Sequence, residues 1–286
     1  MKYPIHTFFM RAERLLHPKI KEGIAKFLVY YFAVKECNEY QKSRYQGHPH
    51  LLDAVHGFLN IAHRGFSGKY PENTLLAFTK ALEHAAQVVE LDVQLTRDGE
   101  IVVCHDAHLR RLTGQADYIR DLPYQALRQQ IPTLSEVFEV LPPEALINIE
   151  IKHEATSFFN WETEKAVLQC IRAHRREKQV LISAFNPMVV NRIRKLAPEI
   201  STAYLLTQSL NPMLIFLLAR IRARYLHVEL KYLNPRVVKA LKQKGLKILG
   251  YTLNTQAEYQ LAMELGLTGI ITDHPDRLHL FLHERK

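Results

Sequence analysis

From residue 58 to the end of the chain, short apolar, β-branched runs alternate with amphipathic stretches, the pattern of βα units around a parallel sheet. Nine runs read as strands: Phe58–His63, Val88–Leu95, Glu100–His105, Leu146–Ile151, Val180–Ala184, Thr202–Leu206, Tyr225–Glu229, Lys247–Thr252 and Gly269–Thr272. Only Thr96 to Gly99 lie between the second and the third, with Asp98-Gly99 at the tip. That pair is a type I′ hairpin signal, and so short a link forces antiparallel pairing. Eight parallel strands remain, which predicts a TIM-type (β/α)8 barrel with a β-hairpin, about 88–105, at its mouth. Asn73 is placed to cap a helix carrying Leu75, Phe78 and Leu82, and Thr133 with Glu136 makes a capping-box pattern before Val137, Phe138 and Leu141. The longest gap, Asp106 to Ala145, has room for a loop over the barrel mouth.

Residues 1–57 follow a different pattern. They are rich in aromatic and basic residues and end in a polar stretch, Gln41 to His50. Ile20, Ile24, Phe27, Leu28 and Tyr31 fall at helical spacing while Val29, Tyr30 and Phe32 fill the other face, so the predicted helix is apolar nearly all round. The barrel, a membrane surface or a partner chain must cover it. The chain thus divides into an N-terminal helical extension, 1–57, and a barrel, 58–286.

Length and composition change little in this picture. The 286 residues suit one barrel of roughly 250, and a hydrophobic fraction of 47% with 23% charged residues excludes disordered and fibrous classes. Charge adds more, since 38 Lys and Arg against 29 Asp and Glu give a net +9 that favours anionic partners. Between Arg220 and Lys247 stand nine Lys or Arg and a single acid, Glu229. No nucleic-acid reader motif accompanies them, so nucleic acid is not an expected partner. Cys37, Cys104 and Cys170 are too far apart for a CxxC site and too few for a disulfide framework. The apolar runs Phe27–Val34 and Met213–Ala219 fall far short of the roughly 18 residues that span a bilayer. These features predict a cytoplasmic protein without a transmembrane helix, with peripheral contact to an anionic membrane as the alternative address.

Candidate chemistry gathers where apolar strand runs stop, as expected at the carboxyl ends of barrel strands. His63-Arg64-Gly65 closes the first strand, Glu90 and Asp92 lie in the second, and Glu150 with Lys152 closes the strand after the long gap. A two-residue hairpin turn sets Arg97 opposite Glu100 and therefore Asp92 opposite His105, with Glu90 one step down on the same face. Glu90, Asp92 and Glu150 offer only hard oxygen ligands, which suit one divalent cation, Mg²⁺ or Ca²⁺. That leaves His63 and His105 for acid–base work near neutral pH. Arg64 and Lys152 are suited to phosphoryl oxygens. Taken singly, each has a plainer reading: a rim histidine, a salt-bridged strand end, a Glu150–Lys152 pair, and packing roles for Phe185 and Tyr251.

Residues 61–114, with HRG at 63–65, PENT at 71–74, ELDV at 90–93, the Thr96-to-Gly99 turn and HD at 105–106, resemble the glycerophosphodiester phosphodiesterase family. The likeness continues through IEIK at 149–152, ISAF at 182–185, GYTLN at 250–254 and GIITDHP at 269–275. It implies a metal-dependent barrel that hydrolyses glycerophosphodiesters to glycerol 3-phosphate and an alcohol. On that resemblance His63 and His105 form the acid–base pair, Glu90, Asp92 and Glu150 hold the metal, and Arg64 and Lys152 contact phosphate. Glu72, Phe185 and Tyr251 become supporting residues, Glu72 by holding Arg64. Tyr251 stands where the family usually has Trp, which alters the pocket wall and so the alcohol or lipid accepted. The alternative expectation is a lysophospholipase D-like enzyme acting on lysophospholipids at a membrane surface; a barrel without catalysis is the third.

Overall fold

The computed structural model describes residues 57–114, 116–152, 161–209 and 224–284, with Leu52, Val55, Leu214 and Leu218 as single positions. The predicted N-terminal helix, His48, His50, Cys37 and most of the 213–219 run lie outside the described residues.

Nine strands form: β1 Leu59–Ala62, β2 Val88–Leu95, β3 Ile101–Val103, β4 Leu146–Ile151, β5 Val180–Ala184, β6 Ser201–Leu206, β7 Tyr225–Glu229, β8 Lys247–Tyr251 and β9 Gly269–Thr272. Their order is β1-β9-β8-β7-β6-β5-β4-β2-β3, and pairing of β1 with β2 closes the eight parallel strands into a barrel. β3 lies outside this ring. It runs antiparallel along the far end of β2, beyond the two positions that β1 occupies.

The hairpin register differs from the expected one by one residue. Val93 faces Val103 and Leu95 faces Ile101, so Cys104, whose N–H donates to the Asp92 carbonyl at 2.9 Å, stands opposite Asp92 instead of His105. The connecting loop has three residues, Arg97 to Gly99, and only Gly99 takes a positive φ, +87°, among them. A type I′ turn would need positive φ at both Asp98 and Gly99. A three-residue loop ending in a left-handed glycine needs it once.

Helices on the outside bury the other face of each strand. They are α1 Leu75–Glu83, α2 Leu134–Val140, α3 Glu162–Ala173, α4 Pro187–Leu196, α5 Pro235–Gln243, α6 Gln256–Glu264 and α7 Pro275–His283. Most starts are legible as side-chain caps over otherwise unpaired N–H groups. Thr133 with Glu136 and Thr255 with Glu258 form full capping boxes, and Asn186 and Asn234 cap α4 and α5 ahead of a proline. At α1 the cap is Thr74, whose hydroxyl accepts from the Ala77 N–H, and not the expected Asn73.

Inside the barrel Leu59, Ile61, Val88, Leu181, Tyr225, Leu249 and Ile271 form one apolar cluster, and Leu52, just 2% exposed, joins it from ahead of β1. The long segment after β3 carries its own small core of Val102, Cys104, Leu109, Ile119, Leu127 and Ile131. It is therefore a packed flap of two short 3₁₀ turns, Ile119–Asp121 and Tyr124–Ala126, rather than an open loop. Cys104 and Cys170 are free thiols.

Candidate active site

Strand geometry dictates the first part of the site. Alternation along β2 and β4 turns Val88 and Leu146 into the barrel, and two and four residues later the same face presents Glu90, Asp92 and Glu150. All three carboxylates are buried, and Asp92 and Glu150 are register partners. One oxygen from each of the three lies within 4.8 Å of the others. An uncompensated buried charge costs several kcal/mol, so the cluster requires partners. Lys152 Nζ supplies one, pairing with Asp92 Oδ1 at 2.8 Å and with Glu150 Oε1. Arg64 supplies two more contacts: its backbone N–H donates to Glu90 Oε2 at 2.8 Å, and its Nε lies 3.3 Å from Asp92 Oδ2.

The β1–α1 loop reaches the cluster through unusual backbone. Arg64 has φ +52° and Asn73 φ +56°, left-handed values that cost side-chain-bearing residues energy. Gly65, at φ +75°, packs so tightly that a Cβ there would sit 2.7 Å from the Ala77 carbonyl carbon. The turn delivers Asn73 to the site, where its Nδ2 donates to Asp92 Oδ2 at 2.9 Å and its Oδ1 accepts from the Asp92 N–H at 3.2 Å. Sequence reading assigned Asn73 to a cap. The available signal was its tolerance of the left-handed region, which a helix cap does not use.

Glu72 grips Arg64 Nη1 through both oxygens, at 3.0 and 3.1 Å. His63, just past β1, donates its N–H to the Thr272 carbonyl at 2.8 Å, and its Nδ1 lies 2.6 Å from Asp273 Oδ1. Asp273 in turn accepts from Asn254 Nδ2 at 2.6 Å and from the Ser67 hydroxyl at 3.0 Å. An ionised carboxylate only accepts, so the His63 proton sits on Nδ1 and Nε2 is left for chemistry. Neither Asp273 nor Asn254 was singled out from the sequence. Both lie in the strand-end motifs at 250–254 and 269–275.

His105 arrives differently. β3 ends at Val103, and the chain then leaves the strand with Gln94 Nε2 set 3.1, 3.2 and 2.6 Å from the carbonyl oxygens of Cys104, His105 and Asp106. This departure brings His105 into the cleft with Glu150, Lys152 and Phe185 despite the shifted register. Its Nδ1 lies 2.7 Å from Asp106 Oδ1, and Arg111 Nε donates to Asp106 Oδ2 at 2.7 Å. Phe185, 41% exposed, and Tyr251, whose hydroxyl donates to the Leu206 carbonyl at 3.0 Å, meet edge to face at 6.3 Å to form one wall of the mouth.

Burial is the largest influence on the charge of these groups. It raises the Glu90 carboxyl, helped by the neighbouring Asp92 charge, and it raises Glu150 for the same two reasons despite Lys152. Asp92 instead stays low, because Lys152 and Arg64 outweigh its burial. Two of the three carboxyls thus resist ionisation together, an excess of buried negative charge that a hard divalent cation would relieve. The donor set fits such an ion. For His63, burial opposes the charged ring, but the Asp273 hydrogen bond and the Glu90 charge outweigh it and raise its pKa. For His105, burial and the Lys152 charge prevail over Asp106 and lower it.

Burial works against the Asp273 carboxylate, yet the His63 hydrogen bond holds it down at about 2 from the ordinary 3.8. A depressed value adds stability that is complete above the ordinary carboxylate range and is lost as pH falls through about 2. Asp273→Asn is therefore expected to lower the Tm near neutrality and to flatten its fall between about pH 4 and 2. Circular dichroism melts across that range check this; parallel curves for variant and parent would dismiss the linkage.

The family model described as Glycerophosphoryl diester phosphodiesterase family matches residues 63–277. The chain is 34% identical over 236 residues to a glycerophosphodiester phosphodiesterase of Caldanaerobacter subterraneus subsp. tengcongensis, covering 77% of this chain and 96% of that protein. It is 28% identical over 275 residues to a lysophospholipase D of Mus musculus, covering 78% and 86% respectively. Among solved structures, a phosphodiesterase of Oleispira antarctica in complex with the product sn-glycerol-3-phosphate superposes with a TM-score of 0.73. It shares 28% identity, over 78% of this chain and 96% of that one.

Proposed function

Because the chain belongs to the glycerophosphoryl diester phosphodiesterase family, whose members are phosphoric diester hydrolases, we propose that it releases glycerol 3-phosphate from glycerophosphodiesters by the joint action of His63 and His105. The observation that carries this reading is the set of two imidazoles, each held by its own aspartate, beside three buried carboxylates. Glu90, Asp92 and Glu150 would hold one divalent cation, Mg²⁺ or Ca²⁺, which supplies charge stabilisation at the phosphoryl oxygens.

The two rings divide the proton work according to their surroundings. His105, whose protonation is disfavoured by burial and by Lys152, is suited to accept a proton from the attacking nucleophile, either water or the diester's own neighbouring hydroxyl, in which case water then opens the cyclic phosphate. His63, whose protonated form Asp273 and Glu90 favour, is suited to donate one to the leaving alkoxide. With their Nδ1 atoms engaged, both rings have Nε2 left for proton transfer. Arg64 and Lys152 orient the diester through its non-bridging oxygens, the guanidinium as a planar fork and the ammonium as a point charge. Asn73 and Glu72 hold Asp92 and Arg64 in place for this.

A second reading, lysophospholipid hydrolysis, is favoured by the similarity to a lysophospholipase D and by the exposed Phe185 ring at the mouth, which gives an acyl chain an apolar surface. No helix among the described residues is long and apolar enough to cross a membrane. Contact with an anionic membrane would involve 1–57 and 213–219, which are mostly outside the described residues.

Purified protein with Mg²⁺ or Ca²⁺ is expected to release glycerol 3-phosphate from glycerophosphocholine or a related diester, measured by coupled oxidation of the product. A kcat/KM more than about tenfold higher on lysophosphatidylcholine, with free choline as the product, transfers the assignment to the second reading; tenfold corresponds to about 1.4 kcal/mol of discrimination. Silence on every head group with either metal would sink both.

A further inference from the structure

Outside the groups assigned above, one side chain among the described residues bridges the two loops that carry the site, Arg111. Arg111 sits on a single helical turn, Arg110–Thr113, beside Leu109, which is buried in the small core of the flap. Its side chain is 46% exposed. The guanidinium donates from Nε to Asp106 Oδ2 at 2.7 Å and from Nη2 to Glu72 Oε1 at 2.6 Å. These two carboxylates belong to different loops. Through its other oxygen Asp106 holds His105 Nδ1, and Glu72 holds Arg64 Nη1. A chain of five side chains, His105, Asp106, Arg111, Glu72 and Arg64, thus runs from a histidine of the acid–base pair to the arginine that faces the phosphoryl group.

We propose that Arg111 is a positioning residue that couples the two loops, fixing His105 through Asp106 and Arg64 through Glu72 with one planar group. This rests on the acid–base reading above and adds a residue to it. A planar fork suits the task because its Nε and Nη2 edges meet two carboxylates in fixed relative geometry, which a lysine ammonium cannot reproduce. Surface ion pairs contribute little to stability. Half-exposed Arg111 therefore gives the fold small benefit, whereas small displacements of reacting groups lower rates by about 10²-fold. Without it, Asp106 and Glu72 would face each other as like charges and each would be free to swing with the group it holds.

The test uses the full chain and three substitutions, Arg111→Ala, Asp106→Asn and Glu72→Gln, with Arg111→Lys as a milder variant. Arg111→Ala is expected to lower kcat by about 10²-fold and to raise KM several-fold, with little change in Tm; Arg111→Lys, which keeps the charge, is expected to recover only part. In the parent background Asp106→Asn and Glu72→Gln should be non-additive by at least about fivefold, since both act on one guanidinium. Parent-like kcat and KM in Arg111→Ala, full recovery by Arg111→Lys, or additivity of the two carboxylate changes in the parent background would each overturn the coupling. Should Arg111→Ala fail to fold, the lysine variant and the parent-background cycle decide. An inactive parent chain would instead sink the phosphodiesterase reading itself.

Discussion

Alanine at His63 or at His105 is expected to lower kcat on a glycerophosphodiester by about 10³-fold, within the range for loss of a positioned acid or base, while leaving KM within about threefold. Both rings are partly exposed, and both lie just past strand ends with an aspartate already on Nδ1. Truncation removes the proton carrier and leaves the carboxylate cluster, Arg64 and Lys152 in place. Binding of the ground-state diester is therefore largely preserved, and the loss falls on the transition state. The two variants should also differ in their pH profiles. His63 is raised above its ordinary value by Asp273 and Glu90, and His105 is lowered by burial and Lys152, so each substitution should erase a different limb of the rate profile. Steady-state kinetics from about pH 5 to 9 give both readings. A folded His63→Ala, His105→Ala double variant with more than about a tenth of parental kcat would end the two-histidine mechanism.

Removing divalent cations is expected to take turnover below about one part in a hundred, the scale of charge stabilisation contributed by a single well-placed electrostatic group, and to lower thermal stability as well. The stability half follows from the charge balance. Glu90 and Glu150 resist ionisation because they are buried beside Asp92, so a cation held by the three carboxylates binds the native state and has no such site in the unfolded chain. At about a hundredfold excess over its dissociation constant such an ion contributes about 2.7 kcal/mol, or a Tm rise of about 5–10 °C for a barrel of this size. Glu90→Gln should abolish that rise. It should also leave the cation-free protein at least as stable as the cation-free parent, since it removes a charge that burial and Asp92 already oppose. Differential scanning calorimetry with chelator, Mg²⁺ and Ca²⁺ measures all three quantities. A cation-independent Tm in the parent would remove the metal site.

The strands and most helix starts are set locally, which is why they could be read along the chain. Runs such as Leu146–Ile151 and Val180–Ala184 carry their own β preference, and Thr133 and Glu136 complete a capping box within one turn. Even the carboxylate cluster was legible, because the two-residue period of a strand places Glu90 and Asp92 on one face without help from elsewhere. Asp98-Gly99 shows where local reading stops. The same dipeptide serves a two-residue turn or the end of a three-residue loop, and the choice shifts every facing pair by one. Here Asp98 accepts from the Tyr124 N–H at 3.0 Å and from the Thr96 hydroxyl at 2.6 Å, the first of these from a segment folded over the hairpin.

Asn73 and Asp273 were decided in the same way. A cap preference at Asn73 gave way to two hydrogen bonds with Asp92 on another strand. Asp273 meets His63 across 210 residues of chain only because β9 and β1 are neighbours in the closed barrel. The sequence by itself therefore determined the elements, the barrel and the chemical types gathered at its carboxyl end, since those depend on periodicity and side-chain chemistry. Tertiary structure decided which groups hold His63, His105 and Arg64 in place. Those contacts are paid in chain entropy by barrel closure and flap packing, and no window of neighbouring residues contains both partners.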